Sequence, residues 1–435
     1  MISDRLLETV LRCPSCARSG TLQHTADAVR CRACRAAFPD VGGVLDLLAP
    51  RLPRPVPSAI ETNGANVAHA LIEKLGLSGQ DAMAERFRRV TEPLAPIGEP
   101  FFDAEEELFL ERWQIFNTAV SIHLGPVYHA PAMAAGGETW VAVRIANHGP
   151  FPLRSGGEHP FALSYHWFKG EGCVEYEGLR SGLQLDLQPG RELTTHLRVK
   201  APSQSGPHTL RIVPIVEGVA WYEEFAIETA IDVGTAPPDP PDANAGIPFT
   251  ESDDNALSLR FIDRHLDLPP GATLVEIGGG IRPILRESAA DRFCASALIN
   301  CDVSVRLLRV AAILSDLNGT AANTHHMRLD ANAMPIEDAS LDGAIFCRSL
   351  HHFQDLGAIL GEVHRVLRPG GRLVLLCEPV GHMYDAYTVG LIERGVNEQV
   401  FPSGAYAAVA QQCGFVPEAE ELDWGFSYKG VFLKA

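Results

Sequence analysis

The sequence predicts a multidomain protein composed of a small metal-binding module, a helical segment, a β-sandwich and a C-terminal α/β domain. Three observations support this prediction. Two Cys-x-x-Cys pairs lie within the first 50 residues, and short β-forming runs separated by turn residues fill 126–233. From about residue 251 onwards, apolar strands alternate with amphipathic helices, which is typical of a mostly parallel sheet. At roughly 100–200 residues per domain, the 435 residues accommodate these parts.

Composition and charge limit the classes of function. Hydrophobic residues make up 46% of the chain and charged residues 21%, as in ordinary globular proteins, and no apolar run reaches the ~20 residues of a membrane span. The net charge of −18 makes nucleic acid an unexpected partner, because phosphate binding requires clustered Lys and Arg. The N-terminus lacks the apolar core of a secretory signal, and most cysteines are scattered. We therefore expect a reducing, cytoplasmic location.

The N-terminal segment, residues 1–50, carries the first chemical motif. Cys13 and Cys16 form one pair, Cys31 and Cys34 form the other, and fourteen residues separate the pairs. Each pair fits a tight turn that directs two sulfurs at one ion, and the hairpin between them brings four ligands together for tetrahedral Zn²⁺. Two unrelated pairs or a redox site are the alternatives. Four cysteine ligands leave no open coordination position, so the predicted zinc is structural.

The cysteine pairs and the stretch FPDVGGVLDLL that follows them resemble a family of small zinc-ribbon proteins. Members of that family are partners of tRNA and release-factor methyltransferases, and similar ribbons are fused ahead of bacterial methyltransferase domains. The resemblance covers only this short segment. It implies a zinc ribbon that serves in interaction or scaffolding, and it does not identify a substrate.

Three segments with different patterns follow the ribbon. Residues 51–125 begin with the Pro-rich joint RLPRPVPS and then show apolar residues at helical spacing, which predicts a helical connecting segment. Residues 126–233 contain runs such as TWVAVRIANHG and ELTTHLRVKAP between Gly and Pro turns, the pattern of an antiparallel β-sandwich. Residues 234–250 form a Pro-rich linker to the C-terminal domain.

Residues 162–222 resemble an immunoglobulin-like accessory domain that is attached to bacterial enzymes of surface-polysaccharide pathways. The run Tyr165-His166-Trp167 is one of the matching features. A glycan-binding interpretation uses Trp167, Arg180 and Trp221 to stack on or grip a sugar. The alternative buries both tryptophans in the core of the sandwich, as is usual in such domains, and we favour it.

The C-terminal domain, residues 251–435, contains a glycine-rich turn. The stretch ATLVEIGGGIRP reads as a buried strand, a turn and the beginning of a helix. Gly278 and Gly280 allow the backbone to turn tightly and to approach a ligand without side-chain collision. Glu276 stands where the strand ends, and the next strand, INCDVS, ends in Asp302. Such a turn alone fits any Rossmann-like fold, including one that binds NAD.

Three further features narrow the choice. The stretch MRLDANAMPIEDASLDGAIFCRSLHHF, the run LGAILGEVHRVLRPGGRLVLL and the tail that ends in YKGVFLKA together resemble class I S-adenosylmethionine (SAM)-dependent methyltransferases. In the second run, apolar residues at helical spacing predict one buried helix face. The resemblance covers residues 257–435. It implies a Rossmann-like methyltransferase domain with a seven-stranded, mostly parallel sheet whose final hairpin is reversed.

The resemblance also implies a SAM site. Asp302 would hold the ribose hydroxyls, since a carboxylate accepts both hydrogen bonds, and Asp330 would take the adenine amine. The backbone amide of Ala331 would meet the adenine ring. Arg282 departs from the family, which often has a small residue at that position. The full set of predicted SAM-binding residues is Glu276, Gly278, Gly280, Asp302, Asp330, Ala331 and Cys347.

Methyl transfer from SAM is an in-line displacement, and holding the nucleophile, methyl group and sulfur in line supplies much of the acceleration. The sequence leaves open whether a hydroxyl or amine acceptor also needs a base. Candidates follow strands four and five, where an open α/β sheet forms its ligand crevice. Arg348 and Glu378 lie there, and an ordinary hydrogen-bonded carboxylate is the alternative for Glu378. His351 and His352 match an HH pair that is common in the family, where it is often structural or lines the SAM pocket. His382 and Tyr384 lie in the predicted acceptor loop.

The predicted function is that of a SAM-dependent methyltransferase (EC 2.1.1) for a sugar or glycan intermediate, or for another small metabolite. An RNA or protein methyltransferase is the second hypothesis, suggested by the ribbon. A non-enzymatic glycan- or partner-binding protein with a decayed methyltransferase fold is the third. The predicted cofactors are SAM and a structural Zn²⁺. The sequence leaves the acceptor and the oligomeric state open.

Overall fold

The computed structural model describes residues 2–25, 28–48, 116–117, 119–157, 159–234, 248–281, 283–284, 297–317, 323–381, 386–393 and 397–435. The chain forms two compact units. Unit 1 comprises Met1–Leu52, Pro238–Gly381 and Glu398–Ala435, and unit 2 comprises Pro53–Pro237 and His382–Asn397. Most of the predicted helical segment 51–125 and of the linker 234–250 lies outside the described residues.

Helices and strands occur in both units. Among the described residues, the α-helices are α1 (Asp4–Thr9), α2 (Glu251–His265), α3 (Val305–Leu317), α4 (Leu356–Val366), α5 (Ala386–Glu393) and α6 (Ala405–Gln412). The first fourteen strands are β1 (Leu22–His24), β2 (Ala28–Cys31), β3 (Ala37–Pro39), β4 (Val44–Asp46), β5 (Ile122–Tyr128), β6 (Ala132–Ala134), β7 (Glu138–Asn147), β8 (Phe161–Lys169), β9 (Gly172–Glu175), β10 (Ser181–Gly182), β11 (Glu192–Lys200), β12 (Gly206–Val216), β13 (Ala220–Trp221) and β14 (Ile227–Gly234). The remaining strands are β15 (Thr273–Ile277), β16 (Ala297–Asp302), β17 (Thr324–Arg328), β18 (Leu341–Cys347), β19 (Leu367–Pro379), β20 (Phe415–Asp423) and β21 (Ser427–Lys434). No helix in these described ranges has the length and apolar character that a membrane crossing requires.

The main sheet of unit 1 has the strand order β20-β21-β19-β18-β15-β16-β17-β4. Strands β4 and β15 to β19 pair in parallel, whereas β21 runs antiparallel to both β19 and β20. The predicted mostly parallel sheet with a reversed final hairpin is therefore present. Its central strands read as continuous apolar runs because parallel strands are buried on both faces.

Helix α4 shows how the sequence specifies the elements around this sheet. Asp355 caps its first turn, since Oδ1 accepts a hydrogen bond from the backbone amide of Ala358 at 2.9 Å. The apolar residues at helical spacing are all buried. Helix α2 begins in the same way, because Thr250 Oγ1 accepts from the amide of Asp253 at 3.1 Å. These caps set the beginning of each helix at the edge of the sheet.

The sheet has eight strands, so the prediction of seven was short by one. The additional strand, β4, belongs to the predicted zinc-ribbon segment and pairs with β17. Leu47 N donates to Arg328 O at 2.9 Å, and Arg328 Nη1 lies 3.0 Å from Asp46 Oδ2. An exposed edge strand carries unpaired backbone groups, and β4 covers those of β17. A strand of three residues is too short for its sequence pattern to predict which strand it pairs with.

The segment ahead of β4 forms a small three-stranded sheet with the order β1-β2-β3. The backbone of Val10 to Arg12 contacts the segment after β17, because Glu337 N donates to Val10 O at 2.8 Å and Arg12 N donates to Pro335 O at 3.1 Å. The N-terminal segment therefore contacts the chain on both sides of residues 329–334.

The described strands of unit 2 form two sheets. One has the order β10-β8-β12-β14-β6, with β9 and β13 paired at its margins, and the other has the order β11-β7-β5. Inward-facing residues of both sheets form one hydrophobic cluster that includes Val143, Trp167 and Leu197. The β region begins at Ile122, four residues before the predicted boundary, because β5 pairs with β7.

The two tryptophans of unit 2 have different environments. Trp167 is fully buried, and its Nε1 donates to Lys200 O at 2.9 Å. Trp221 is only partly buried and stacks on His166 with 5.0 Å between ring centroids. The favoured prediction that both lie in the core was therefore wrong for Trp221. Its strand, β13, has two residues and lies at the margin of the sheet, where the side chain is only partly covered.

Candidate active site

The carboxyl ends of four neighbouring parallel strands bring the predicted SAM-binding residues to one edge of the sheet. The strands are β17, β16, β15 and β18, in spatial order. This edge is where open α/β sheets form their ligand crevice. In the same spatial order, the residues at the strand ends are Asp330 and Ala331, Asp302, Gly278 and Gly280, and Cys347.

The turn after β15 requires glycine for two physical reasons. Gly278 and Gly280 have φ values of +71° and +51°, which side-chain-bearing residues rarely adopt. A Cβ atom on Gly278 would also lie 2.7 Å from Ser349 Cβ. Gly279 needs space instead, because a Cβ there would come closer than 3.0 Å to Asn300 Oδ1. The turn is therefore held tightly against β16 and the end of β18.

Asn300 in the neighbouring strand β16 holds this turn in place. Sequence analysis did not identify this residue. It is fully buried in β16, and its Nδ2 donates to Gly280 O at 3.1 Å. The same Nδ2 lies 3.1 Å from His326 Nδ1, and His326 Nε2 lies 3.1 Å from Ser315 Oγ in α3. The available signal was a polar residue inside an otherwise apolar strand.

The three acidic residues of the predicted SAM site differ in burial. Glu276 is buried, and its Oε1 accepts from Ile284 N at 2.7 Å, which stabilises the turn from inside. Asp302 is half-buried, and its Oδ1 accepts from Ser304 N at 2.7 Å. Asp330 is also half-buried and caps the 3₁₀ turn Ala331–Ala333. Asp302 and Asp330 thus present carboxylates at the crevice, and Glu276 supports it.

His351 and Glu378 form a buried pair at the ends of β18 and β19. His351 Nδ1 lies 2.8 Å from Glu378 Oε2. The carboxylate also accepts from the backbone amides of Ser349 and Leu350 at 3.0 Å and from that of His351 at 3.1 Å. Burial lowers the pKa of His351, but the charge and hydrogen bond of Glu378 raise it overall above its usual value. Glu378 therefore orients the imidazole and fixes the turn that carries it.

A β-bulge directs Glu378 towards the histidine. The register between β19 and β21 shifts between Leu375 and Glu378, and Cys377 has a φ of +55°. Bulges often lie next to functional sites because they change the direction of a side chain. Here the bulge places Cys377 beside α2, where its Sγ lies 3.0 Å from Ser258 Oγ, and turns Glu378 to the opposite side.

Glu398 and Gln399 complete the surroundings of the histidine pair. Glu398 Oε1 lies 3.5 Å from His351 Nε2, and Glu398 Oε2 lies 3.6 Å from His352 Nδ1. Gln399 Nε2 donates to His351 O at 2.7 Å and to Phe353 O at 2.5 Å. Sequence analysis did not identify Glu398, because it lies far from the histidines along the chain and in no motif.

A buried charge cluster supports the same edge from the side of α2. Lys429 is fully buried, and its Nζ lies 2.9 Å from Asp254 Oδ1 and also contacts Asp423. Arg348 Nη2 lies 3.0 Å from Asp254 Oδ2. Burial raises the pKa of Asp254, but Lys429 and Ser427 lower it overall below its usual value. Lys429 therefore holds Asp254 of α2 ionised, and Arg348 contacts its second carboxylate oxygen.

The four N-terminal cysteines converge in the three-stranded sheet. Cys13 Sγ lies 3.6 Å from Cys34 Sγ, and Cys16 Sγ lies 3.8 Å from Cys31 Sγ. All four sulfurs lie within 4.8 Å of one another. These separations are far beyond a disulfide bond of about 2.05 Å. The two shortest contacts are close to the roughly 3.8 Å expected between sulfurs placed tetrahedrally at 2.3 Å from one ion.

Two of the four predicted catalytic residues, His382 and Tyr384, lie outside the described residues, as does Arg282. His351 and His352 lie at the same edge of the sheet as the predicted SAM-binding residues. They are the two predicted catalytic residues that the structure describes. The residues that sequence analysis missed are Asn300, Ser349, Glu398, Gln399 and Asp254.

Comparison with known proteins agrees with this geometry. Residues 275–375 match the family model of a methyltransferase domain. The chain is 25% identical over 160 residues to the ubiquinone/menaquinone biosynthesis C-methyltransferase UbiE of Vibrio parahaemolyticus, covering 35% of this chain and 62% of that protein. It is 30% identical over 183 residues to the 27-O-demethylrifamycin SV methyltransferase of Amycolatopsis mediterranei, covering 39% and 66%.

Among solved structures, the chain is similar to geranyl diphosphate C-methyltransferase from Streptomyces coelicolor, with 14% identity, a TM-score of 0.36 and coverage of 45% of this chain and 92% of that one. The chain spans less than two thirds of the length of the curated relatives just described. The matched family model and the strand order lead to one conclusion. The C-terminal region contains a class I SAM-dependent methyltransferase domain.

Proposed function

We propose that this protein is a SAM-dependent methyltransferase that methylates a sugar or glycan intermediate, or another small metabolite, in the cytoplasm. The observation that carries the proposal is the convergence of the glycine turn, Asp302, Asp330 and the His351–Glu378 pair at one edge of the sheet. The relatives named above are methyltransferases of quinone and rifamycin biosynthesis, which supports a small acceptor.

In this proposal, SAM lies across the ends of β15, β16 and β17. Gly278 and Gly280 admit its methionine and ribose part, and Asp302 accepts hydrogen bonds from the ribose hydroxyls. Asp330 and the backbone of Ala331 receive the adenine, and Cys347 closes the pocket at the end of β18. The supporting observation is that these groups lie on adjacent strand ends, whereas Glu276 is turned inward to Ile284.

The chemical step transfers the methyl group from the sulfonium to the acceptor. The sulfur–methyl bond breaks, an oxygen–methyl bond forms, and the hydroxyl proton must leave. We assign proton removal to the His351–His352 pair, which stands next to the predicted cofactor crevice. Glu378 is a positioning residue that holds His351 by the 2.8 Å contact to Nδ1.

A group of partly exposed aromatic side chains in unit 2 supports the proposal that the acceptor is a glycan. Tyr176 is half exposed and stacks on His166 with 4.1 Å between ring centroids, and the Arg180 guanidinium lies 4.7 Å from the ring centroid of Trp221. Arg180 also pairs with Glu217 at 2.9 Å. Partly exposed aromatic rings beside charged hydrogen-bonding groups suit a sugar, which has apolar C–H faces and hydroxyl edges.

The N-terminal cysteines form the proposed zinc ribbon. The separations between their sulfurs fit a four-cysteine Zn²⁺ site, and the ion would stabilise a segment that has little core of its own. Burial raises the pKa of Cys13 to about 12. The pKa of Cys31 is lowered to about 6, because its hydrogen bonds with Thr21 and with nearby backbone groups outweigh burial. A closed set of four ligands makes the ion structural.

Incubation with methyl-labelled SAM and pools of acceptors tests the proposal. The pools are nucleotide sugars, short glycans, quinones and ribosomal RNA. We expect label in a sugar-containing pool, and Trp221→Ala should weaken binding of that sugar without changing SAM affinity. Label in RNA alone would favour an RNA methyltransferase, and no label in any pool would contradict the proposed activity.

A further inference from the structure

A second group of metal-ligating side chains lies outside the cysteine ribbon. His351, His352 and Glu398 each offer one ligand atom, and these atoms all lie within 4.8 Å of one another. The histidines are consecutive on the 3₁₀ turn Leu350–His352, and Glu398 faces them from a separate segment of unit 1. The side chains of His351 and Glu398 are 7% and 13% exposed, so these two are largely shielded from water, whereas His352 is exposed.

The distances suit ligands around an ion better than direct hydrogen bonds. Glu398 lies 3.5 Å from His351 Nε2 and 3.6 Å from His352 Nδ1. Hydrogen bonds between such atoms are about 2.7–3.2 Å long. Two ligand atoms held about 2.1 Å from one ion at a tetrahedral angle are separated by roughly 3.4 Å. A cation among the three side chains would therefore require only small movements.

A histidine that binds a metal through one ring nitrogen usually donates a hydrogen bond from the other, and Glu378 is the acceptor available to His351. Because Nδ1 of His351 is 2.8 Å from Glu378 Oε2, the proton of a neutral imidazole is held on Nδ1 and the lone pair on Nε2 faces Glu398. The backbone is fixed as well, since Gln399 Nε2 donates to His351 O at 2.7 Å. Glu398 precedes Gln399 in the chain. The hydrogen bond from Gln399 to the His351 backbone therefore also holds the Glu398 carboxylate near the imidazoles.

We propose that His351, His352 and Glu398 bind a divalent first-row transition cation, and that this cation holds the acceptor oxygen for methylation. Two imidazoles favour transition cations such as Zn²⁺ or Fe²⁺ over Mg²⁺ or Ca²⁺, which prefer oxygen ligands, and the carboxylate also suits Mn²⁺. Three protein ligands leave at least one coordination position for the acceptor. This inference rests on the proposed function and changes the role of the histidine pair: the two imidazoles hold the cation that promotes proton loss and do not take the proton themselves.

The chemical consequence concerns the acceptor hydroxyl. A bound divalent cation lowers the pKa of a coordinated hydroxyl group. The O–H bond breaks and the proton passes to water, the oxygen forms its bond to the methyl group, and the sulfur retains the electron pair of the broken bond. The transfer needs no oxidant or reductant. His352, with 42% of its side chain exposed, lies on the side from which water and the acceptor would enter.

Metal binding measured without reference to activity tests the inference. Full-length protein is first loaded with one equivalent of Zn²⁺ to saturate the cysteines, and Mn²⁺ is then titrated while free Mn²⁺ is followed by electron paramagnetic resonance. We expect one Mn²⁺ per chain, with Glu398→Gln weakening its binding at least tenfold. Glu418→Gln, which removes an exposed partner of Arg372, is the matched control and should leave Mn²⁺ binding unchanged.

Cobalt provides a second readout. Co²⁺ at the cysteines gives thiolate charge-transfer absorption, whereas Co²⁺ at the histidine site gives only weak d–d bands that Glu398→Gln should remove. SAM affinity is measured on the same samples. No Mn²⁺ binding, or equal binding by Glu398→Gln, would overturn the metal site even if SAM binds normally. Mn²⁺ binding by a protein that does not bind SAM would instead overturn the proposed function.

Discussion

The packing of Gly279 against Asn300 leads to a quantitative prediction about SAM binding. In Gly279→Ala, the new Cβ would lie closer than 3.0 Å to Asn300 Oδ1 and 3.2 Å from Glu276 Cγ, and both neighbours are buried. Relieving such an overlap costs about 2 kcal/mol. If the turn moves to relieve it, SAM affinity falls about 30-fold. Gly361→Ala is the control, because a Cβ there meets nothing within 4 Å and lies in helix α4.

A double-mutant cycle isolates the proposed cause. Asn300→Ala removes the 3.1 Å hydrogen bond to Gly280 O, and loss of one such bond costs about 1 kcal/mol, or about fivefold in affinity. The same change removes the atom that the new Cβ would overlap. The combined variant should therefore bind SAM more tightly than the sum of the two single effects predicts, by about 1 kcal/mol or more.

Isothermal titration calorimetry of all four proteins, with melting temperatures as a check on folding, completes this test. Wild-type affinity in Gly279→Ala would show that the turn does not bind the cofactor in this conformation. Strict additivity in the cycle would show that Asn300 is not the residue that excludes a side chain at position 279.

Two further predictions concern stability and the ribbon. Asp254→Asn should lower the free energy of unfolding by about 3 kcal/mol at pH 7, because it removes a buried partner of Lys429. Since the folded-state pKa of Asp254 is below its usual value, its stabilisation is present at neutral pH and is lost as the pH falls below the range of an ordinary carboxyl group. Urea unfolding at pH 7 and at about pH 3, below the ordinary pKa of an aspartate, should show a smaller acid effect in the variant. Equal acid effects in both proteins would contradict this. Treatment with a chelator to remove the proposed zinc, or Cys31→Ser, should weaken SAM binding several-fold, because β4 pairs with β17 ahead of Asp330. Unchanged SAM affinity in the treated protein would show that the cysteine site does not support the cofactor site.

The sequence was sufficient to predict the C-terminal fold because its elements carry strong local patterns. The apolar face of α4, the glycine turn after β15 and the acids at the strand ends are each specified within a few residues. The eighth strand was not predictable, because pairing of β4 with β17 is a long-range contact and Val44–Asp46 has no distinguishing pattern.

The same distinction applies to the site. His351 and His352 were found because they are adjacent and lie in a motif. Glu398 and Asn300 were missed because their roles depend on which residues face them across the fold, and a single carboxylate or amide gives no signal of that. Trp221 was misplaced for a related reason, since a sequence does not show which sheet margin leaves a ring partly exposed.

Calorimetric binding of SAM to the full-length protein, beside Asp302→Ala, tests the central claim most directly. We predict binding with a dissociation constant on the order of micromolar for the wild type, and a loss of most of that affinity in the variant, because the ribose hydroxyls lose their acceptor. Failure of the wild-type protein to bind SAM, or equal binding by Asp302→Ala, would contradict the assignment of the cofactor site to the ends of β15, β16 and β17.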